Sequence, residues 1–401
     1  MSVLGLFSAI LLVLILLLLS LAVLYLFLLA LAWWVGYKKV GSQPPPQKRF
    51  AILIPAQDEE KVIEKCLISI KNVNYYPNLF KTFVVADNCT DQTPRIAKGF
   101  GAEVLERSDQ THRGKGFALA WGLERINLSE FDALIILDAD CIVQENLFLA
   151  LNHRLSKGQK VLQVYDGIYN FRQSLFTYLL YLGNLAENYL FYGGREVLGL
   201  SSLLRGTGMC FSTEILQKFS WMSFSEAEDL EFSLQLIQNG SKIHFVPETK
   251  ILAIQPSGMQ TAYTQKRRWA GGTLRIIRSN ILKLLGRGVV NFRPRLVELA
   301  FTLTILSRPS LILLNLLALL ATVVLPVEFE TTLVWWGVIL LLAQLGYLGF
   351  SIHLAESKAR ALKTLCFAPA YLLWLFAVQV GSFFGTRPGA WQKTSREDAQ
   401  D

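Results

Sequence analysis

The chain has 401 residues, of which 52% are hydrophobic and 17% charged, and its formal net charge is +8. This composition is too apolar for a simple soluble domain, and the length allows one domain together with membrane segments. The positive charge fits an anionic membrane surface and an anionic substrate. Nucleic acid is not expected as a partner, because no basic stripe interleaved with aromatic side chains occurs in the middle of the chain.

The first segment, residues 1–36, is predicted to be a transmembrane anchor. Residues 3–34 carry no charge, and this run exceeds the roughly 20 residues that span a bilayer. A cleaved signal peptide would have an apolar region of only about 7–15 residues behind a basic start. Residues 37–49 form a basic, proline-rich linker, which places the following domain on the cytoplasmic side of a multi-pass protein of the cell membrane.

Residues 50–259 are predicted to form a cytosolic α/β domain with a mostly parallel sheet. Short apolar runs alternate there with segments of helical spacing. Strands are predicted at 50–55, 83–87, 103–105, 133–138 and 161–165, and helices at 59–70, 90–99 and 116–126. Acidic turns at 55–59, 87–91 and 138–140 follow three of these strands. Because ligands bind at the carboxyl ends of such strands, we expect a nucleotide and metal crevice there.

Asp138 and Asp140 are the first candidate site residues. Alternate residues of a strand point to one side, so these carboxylates are expected to hold one cation. Capping of the next helix is the structural alternative. Since a buried acidic pair needs a compensating charge, we expect Mg²⁺ or Mn²⁺ bridging the phosphates of a nucleotide sugar.

Three further motifs have both a structural and a functional interpretation. Asp229 and, in reserve, Glu228 are candidate general bases, although acidic residues also favour the start of a helix. Lys115 lies in a loop without Walker spacing and is expected to contact an anionic substrate. Gly206 and Gly208 permit close approach of a ligand or form a tight turn.

The C-terminal part is predicted to be membrane-associated. Residues 260–295 are expected to form basic interfacial helices, 296–385 membrane segments and 386–401 a basic cytosolic tail. Residues 365–384 have basic turns on both sides, so a re-entrant or in-plane helix broken near Pro369 stands beside a full span. Within 265–269, arginine and tryptophan suit either an interfacial helix or a site for a diphosphate and a sugar ring.

In this order along the chain, the motifs resemble membrane-embedded members of glycosyltransferase family 2. That group includes cellulose, chitin, hyaluronan and poly-N-acetylglucosamine synthases and related lipid glycosyltransferases. The matching positions are 55–59, Asp87, Lys115, 138–140, 228–229 and Gln265-x-x-Arg268-Trp269. The resemblance implies a Rossmann-like GT-A domain and inverting transfer of a sugar from a UDP-sugar to a hydroxyl of a polysaccharide or a lipid.

The resemblance also implies roles for individual residues. Asp229 is the implied base, Asp138 and Asp140 hold the base and metal sides of the diphosphate, and Trp269, Gly206 and Gly208 contact the acceptor. Nucleotide-sugar binding falls to Pro55, Ala56, Glu59, Asp87, Lys115, Asp138, Gln265, Arg268 and Trp269. Gln57 and Asp58 depart from the family pattern, and 205–210 matches the acceptor-binding segment only at a glycine.

Two other functional classes are alternatives for this chain. A nucleotidyltransferase would need a glycine-rich loop with an arginine after the first strand, and residues 55–59 contain no glycine. A catalytically inactive membrane scaffold would not need intact acidic motifs. The five cysteines lack a Cys-x-x-Cys pair, which argues against a zinc site and a disulfide framework.

Overall fold

The computed structural model describes residues 3–38, 44–305, 307–325 and 330–384. They form two compact units. The sheet unit comprises Gly199–Ile276 and the described part of Lys38–Thr177. The helical unit comprises Tyr178–Leu198 and the described parts of Met1–Tyr37 and Ile277–Phe384. The segment predicted as one domain, 50–259, therefore contains an insertion that belongs to the helical unit, and the predicted tail 386–401 lies outside the described residues.

The sheet unit is built on eight strands in the order β3-β2-β1-β4-β7-β6-β8-β5. The strands are β1 (Phe50–Ala56), β2 (Phe80–Asp87), β3 (Glu103–Arg107), β4 (Ala133–Ile136), β5 (Cys141–Val143), β6 (Val161–Ile168), β7 (Met209–Ser212) and β8 (His244–Ala253). Strands β3, β2, β1 and β4 are parallel, whereas β7 runs antiparallel to both β4 and β6. The predicted α/β class is confirmed, and β5, β7 and β8 are additions to the five predicted strands.

Helices cover both faces of this sheet because its central strands are apolar on both sides. In β1, Phe50 and Ile52 belong to one buried cluster, and Ala51 and Leu53 to another on the opposite face. The helices of the unit are α2 (Ile63–Lys71), α3 (Thr93–Gly99), α4 (Lys115–Leu123), α5 (Leu147–Ser156), α8 (Thr213–Lys218) and α9 (Glu228–Gln238). The predicted helices at 59–70, 90–99 and 116–126 correspond to α2, α3 and α4.

Register brings the carboxyl ends of β2, β1 and β4 to one edge. Ala56 lies opposite Ala86, and Leu53 lies opposite Ile136. The three predicted acidic turns therefore leave the sheet at the same edge, as expected for adjacent parallel strands.

The helical unit contains most of the apolar helices. Its helices are α1 (Val3–Gly36), a π-helix (Ala186–Gly193), α7 (Gly194–Val197), α11 (Pro294–Thr304), α12 (Arg308–Val324), α13 (Glu330–Leu354), α14 (Lys358–Leu365) and α15 (Ala368–Phe384). Two further helices, α6 (Leu175–Leu185) and α10 (Met259–Val290), begin in the sheet unit and end in the helical unit. By length and composition, α1 and α13 are each able to cross a membrane, and the number of candidate spans among the described residues is up to four if each of two bent pairs, α11–α12 and α14–α15, is one span.

The last pair corresponds to the segment whose topology the sequence leaves open. Helices α14 and α15 meet at an angle of 60°. The break falls just before Pro369, the second residue of α15, where proline is tolerated because the first turn needs no backbone donor. The expected break near Pro369 is therefore present, and whether this pair spans or re-enters the membrane stays a prediction.

A buried polar network joins three helices of the helical unit. The fully buried Arg195 of α7 donates Nη1 hydrogen bonds to Glu298 Oε1 and Thr302 Oγ1, each 2.6 Å away, and to Tyr25 Oη at 2.5 Å. Tyr25 in turn donates to Glu298 at 2.6 Å. These hydrogen bonds tie α1, α7 and α11 together.

Replacement of this arginine is expected to destabilise the helical unit strongly. Arg195→Met leaves the Glu298 carboxylate without its buried countercharge, which costs roughly 3–5 kcal/mol for a buried pair. We expect a lower unfolding temperature in detergent, partly restored in Arg195→Met/Glu298→Leu. The exposed Arg287 provides the matched control, Arg287→Met. Equal melting of all three variants and the parent would contradict the importance of the network.

Candidate active site

Asp138 and Asp140 lie in a turn at the edge of the sheet. Strand β4 ends at Ile136, and a hydrogen bond of 3.2 Å from Cys141 N to Asp138 O closes the turn. The prediction that alternation along a strand brings these two carboxylates together is therefore wrong. The proximity is nevertheless real: ligand atoms of Asp138, Asp140 and Cys141 lie within 4.8 Å of one another. Asp138 N donates to Thr207 Oγ1 at 3.1 Å, which holds the turn beside the start of β7.

The donor set of this turn fits a hard divalent cation. Two carboxylates are the oxygen ligands that Mg²⁺ and Mn²⁺ prefer. Burial, followed by the charges of Asp140 and Asp138, raises the pKa of the Cys141 thiol, so it stays protonated and is a poor ligand. A second acidic group, Asp58, Cys89 and Asp91, differs because its carboxylates accept backbone N–H bonds from Thr90, Glu60 and Thr93.

Lys115 connects the acidic turn to the catalytic candidates. It opens α4, and its Nζ donates to Asp138 Oδ1 at 2.5 Å and to Gly206 O at 2.7 Å, with Glu228 Oε1 at 3.6 Å. Burial alone would lower its pKa, but the carboxylates of Asp138 and Glu228 outweigh burial and raise it. Lys115 is therefore a fixed positive charge between the carboxylates of Asp138 and Glu228.

Glu228 and Asp229 open α9 as predicted. Burial raises the pKa of Glu228 to about 7, against the opposing charge of Lys115. Burial also raises the pKa of Asp229, whose Oδ1 accepts the Leu230 N–H at 2.7 Å. A carboxylate with a raised pKa is a stronger base, as general-base catalysis requires.

Gly206 lies beside Asp229, whereas Gly208 has a packing role. A Cβ atom built on Gly206, whose φ is +80°, would be 3.6 Å from both Asp229 Oδ2 and Lys115 Nζ. A Cβ on Gly208 would come within 2.7 Å of Ile251 Cδ1. Packing against Ile251 therefore accounts for glycine at position 208. Of the two glycines, only Gly206 has a geometry that supports the expected contact with an acceptor.

The first two acidic turns lie together beside the sheet edge. Pro55 and Ala56 end β1, and the Glu59 N–H donates to Thr93 Oγ1 at 2.8 Å. Asp87 ends β2 and is buried against Arg107, with Nη1 2.6 Å from Oδ1. Burial raises the pKa of Asp87, and Arg107 opposes that rise. Arg107 was not predicted as part of this turn.

Gln265, Arg268 and Trp269 occupy α10 within the sheet unit. Their spacing of three and four residues places them on one helix face. The Gln265 Oε1 is buried, with no hydrogen-bond partner among the described residues. Burial lowers the pKa of Arg268, while Glu226 and Glu228 oppose this effect, so the guanidinium lies within electrostatic reach of the catalytic candidates. Trp269 is 39% exposed, with Lys266 Nζ 4.8 Å from its ring centroid.

A protein-family model described as "glycosyltransferase like family 2" matches residues 45–272, more than half of the chain. The chain belongs to glycosyltransferase family 2. This result confirms the resemblance and identifies the protein as a glycosyltransferase. It also places all the candidate site residues inside the matched segment.

Curated relatives of this glycosyltransferase include two bacterial proteins. It is 30% identical over 238 residues to a beta-monoglucosyldiacylglycerol synthase of Nostoc sp., covering 55% of this chain and 48% of the relative. It is 25% identical over 238 residues to "Probable glycosyltransferase YdaM" of Bacillus subtilis, covering 57% of this chain and 56% of the relative. The glycosyltransferase therefore spans about half the length of the curated relatives that it matches.

Among solved structures, the glycosyltransferase is similar to the mannosyltransferase PcManGT from Pyrobaculum calidifontis, determined in complex with GDP-Man and Mn²⁺. The TM-score is 0.57 at 17% identity, with 95% of this chain and 99% of that chain covered. The expected GT-A fold is confirmed by this similarity.

Sequence reasoning missed the charged pairs that support the site of the glycosyltransferase. The Arg205 guanidinium contacts the Asp166 carboxylate through two nitrogens, with Nε 2.7 Å from Oδ1 and Nη2 2.9 Å from Oδ2. Its backbone N–H donates to the buried Gln163, whose amide nitrogen donates to Thr207 O at 2.8 Å. Together these contacts hold the segment on either side of Gly206. An arginine directly before a glycine was the available signal, but its partner on β6 is distant in sequence.

The raised pKa of Glu228 predicts a pH-dependent stability. A carboxyl group with a raised folded-state pKa contributes stability below its unfolded value, near 4.5, and loses that contribution as the pH rises through about 7. Without metal and nucleotide, the unfolding free energy of the parent should therefore fall relative to Glu228→Gln between these pH values, by on the order of 2 kcal/mol. Denaturant unfolding in detergent measures it, and the exposed Glu214→Gln should behave like the parent. Parallel pH profiles of the parent and Glu228→Gln would contradict the assignment.

Proposed function

We propose that this protein is an inverting glycosyltransferase that moves a sugar from a UDP-sugar to a hydroxyl group of a membrane lipid. The observation that carries the proposal is the position of Lys115 between Asp138 and Glu228, because it joins a metal-binding turn and a base at one edge of the sheet. The likeness to a beta-monoglucosyldiacylglycerol synthase favours a glycerolipid acceptor over a growing polysaccharide. The family match favours sugar transfer over the nucleotidyltransferase alternative.

In the proposed reaction, Asp229 removes the proton of the acceptor hydroxyl as its oxygen attacks the anomeric carbon. The bond from that carbon to the diphosphate oxygen breaks on the opposite face, and UDP leaves with the bonding electrons. Burial of Asp229 supports this role because a raised pKa favours proton uptake. Glu228 is the reserve base.

The positive charges of the site suit the departing diphosphate. Lys115 and Arg268 are proposed to hold its oxygens, since charge developing on a leaving group is stabilised by fixed cations. Asp138 and Asp140 would hold Mg²⁺ or Mn²⁺, which when bound neutralises the diphosphate. Pro55, Ala56, Glu59 and Asp87 are proposed to contact the uridine, and Gln265, Trp269 and Gly206 the sugars.

The proposed setting is the cell membrane, with the sheet unit on the cytoplasmic side. Two described helices, α1 and α13, satisfy the length and composition of a membrane span, and two bent pairs could add further spans. Lys38, Lys48 and Arg49 follow α1, and basic residues after a span favour the cytoplasm. The anchor at 1–36, the linker at 37–49, the basic interfacial helices at 260–295 and the membrane segments at 296–385 complete the proposed arrangement.

Asp229→Asn should abolish sugar transfer, while the variant should still bind UDP. We expect turnover to fall about 100-fold or more, because proton removal by a positioned base is lost. UDP affinity should change by about twofold at most, since the amide is isosteric. Release of UDP from a panel of UDP-sugars and lipids, with products weighed by mass spectrometry, gives turnover, and calorimetry gives affinity.

The exposed Glu214→Gln is the matched carboxylate control. Comparable turnover in Asp229→Asn and the parent would remove Asp229 from its role and direct the test to Glu228→Gln. Absence of UDP release from the parent with every donor and lipid would favour the inactive scaffold.

Asp140→Asn should weaken metal-dependent donor binding. Loss of one of two carboxylate ligands is expected to reduce UDP affinity in Mn²⁺ by about tenfold or more, and a chelator should reduce the affinity of the parent similarly. Calorimetry with and without Mn²⁺ measures both effects. Glu103→Gln, on an exposed residue that pairs with Lys81, is the control. UDP affinity of the parent that is unchanged by the chelator would contradict the metal assignment.

A further inference from the structure

Arg205, Gly206 and Thr207 form a tight turn just before β7. The Thr207 N–H donates to Arg205 O at 2.9 Å, which closes a three-residue γ-turn. The φ of Gly206 is +80°, and γ-turns with a positive central φ are rare and strained. A strained segment persists only where its surroundings fix it, and such segments cluster at functional sites. The contacts that fix this turn therefore bear on function.

One buried amide holds both ends of the γ-turn. Gln163 of β6 is fully buried, and its Oε1 accepts the Arg205 N–H at 2.9 Å. Its Nε2 donates to Thr207 O and to Val164 O, each at 2.8 Å. Glutamine offers one carbonyl oxygen and two N–H donors, so these three bonds use both halves of the amide. An apolar residue at this position would leave the Arg205 N–H and the Thr207 carbonyl without this buried partner, which costs free energy.

The backbone of β6 is irregular next to Gln163. The pairing of β6 with β8 changes register between Val164 and Tyr165. Bulges of this kind redirect side chains and are frequent beside active sites. Asp166, beyond the register shift, contacts the Arg205 guanidinium. Strand β6 therefore holds the first residue of the γ-turn through both its backbone and its side chain.

Two other groups of the γ-turn contact the candidate site. Gly206 O accepts a hydrogen bond from Lys115 Nζ at 2.7 Å, so the turn holds the ammonium group. Thr207 Oγ1 accepts the Asp138 N–H at 3.1 Å and lies 3.3 Å from Cys141 Sγ. Asp138 and Cys141 are the two ends of the metal-binding turn. One hydroxyl group therefore contacts both ends of that turn.

We propose that Gln163 is a positioning residue for sugar transfer, which holds the γ-turn 205–207 against Lys115 and the metal-binding turn 138–141. The inference rests on the metal and leaving-group roles that the proposed function gives to those residues. The metal and the ammonium group would act on the same diphosphate, so their spacing matters. A misplacement of about 1 Å can cost roughly 100-fold in rate.

Gln163→Met tests the proposal on the full chain in detergent, because it keeps most of the volume and removes the hydrogen bonds. We expect UDP affinity in Mn²⁺ to fall about tenfold, as when a supporting contact of a metal site is lost. UDP affinity in a chelator should change by about twofold at most, because the proposed uridine contacts stay in place. The kcat with donor and Mn²⁺ saturating should fall about tenfold or more. Calorimetry measures the affinities, and UDP release measures kcat.

Asn152→Leu is the matched control for loss of a buried amide in the sheet unit. Asn152 is fully buried, and its Oδ1 accepts from Lys48 N at 3.1 Å and from Tyr75 Oη at 3.3 Å. This variant should lower the melting temperature but leave both UDP affinities and kcat unchanged. A purely structural role of Gln163 predicts the same behaviour for Gln163→Met, and that result would overturn the inference.

Thr207→Val and Thr207→Ser keep the test decisive if Gln163→Met does not fold. Thr207→Val removes the hydroxyl group that contacts the metal-binding turn and should weaken UDP binding in Mn²⁺, whereas Thr207→Ser keeps the hydroxyl and should behave like the parent. Equal loss of UDP affinity in Mn²⁺ and in the chelator, or parent-like binding by Thr207→Val, would overturn the inference even if the parent transfers sugar. The affinities need no acceptor. Loss of UDP affinity only in Mn²⁺, without transfer to any lipid by the parent, would support the position of Gln163 and reject the proposed acceptor.

Discussion

The structure of the site depends on one ion-pair arrangement, the Lys115 ammonium among carboxylates. Asp138 and Glu228 come from segments far apart in the chain, and their negative charges would repel each other without a cation between them. The carbonyl of Gly206 completes the cage at 2.7 Å. A divalent cation and a diphosphate would enter this site with opposite charges, so joint binding alters the local charge balance less than either ligand alone. This charge balance favours a nucleotide-sugar donor that would bind as a complex with its divalent cation.

Much of the sheet unit was predictable from local pattern. Apolar runs predicted β1 to β4, although β3 and β4 end at positions that differ by two residues from those expected. Strands β5, β7 and β8 were not predicted because they depend on pairing with distant segments rather than on a repeating alternation with helices. Tyr178–Leu198 could not be assigned to the helical unit because neither its composition nor its spacing says which surface it packs on.

The candidate site was predictable by residue type, but its partners were not. Acidic residues after apolar strands indicated the edge of the sheet, and Asp229 at the start of a helix suited a base. The pairing of Asp87 with Arg107 and of Arg205 with Asp166 joins residues 20 and 39 positions apart. Such pairs follow from tertiary packing, which no periodicity encodes. The pleat argument predicted that Asp138 and Asp140 lie close together, and they do, but a turn rather than a strand brings them together.

The helical unit shows a different balance of forces. In the proposed membrane setting, lipid chains are as apolar as leucine, so packing of leucine faces gives little net drive for helix association. Hydrogen bonds and close backbone approach replace it: Arg195 joins three helices, and a Cβ on Gly194 would lie 2.2 Å from Leu29 O. Where polar groups are fully paired, as around Arg195, the helices form a closed interior.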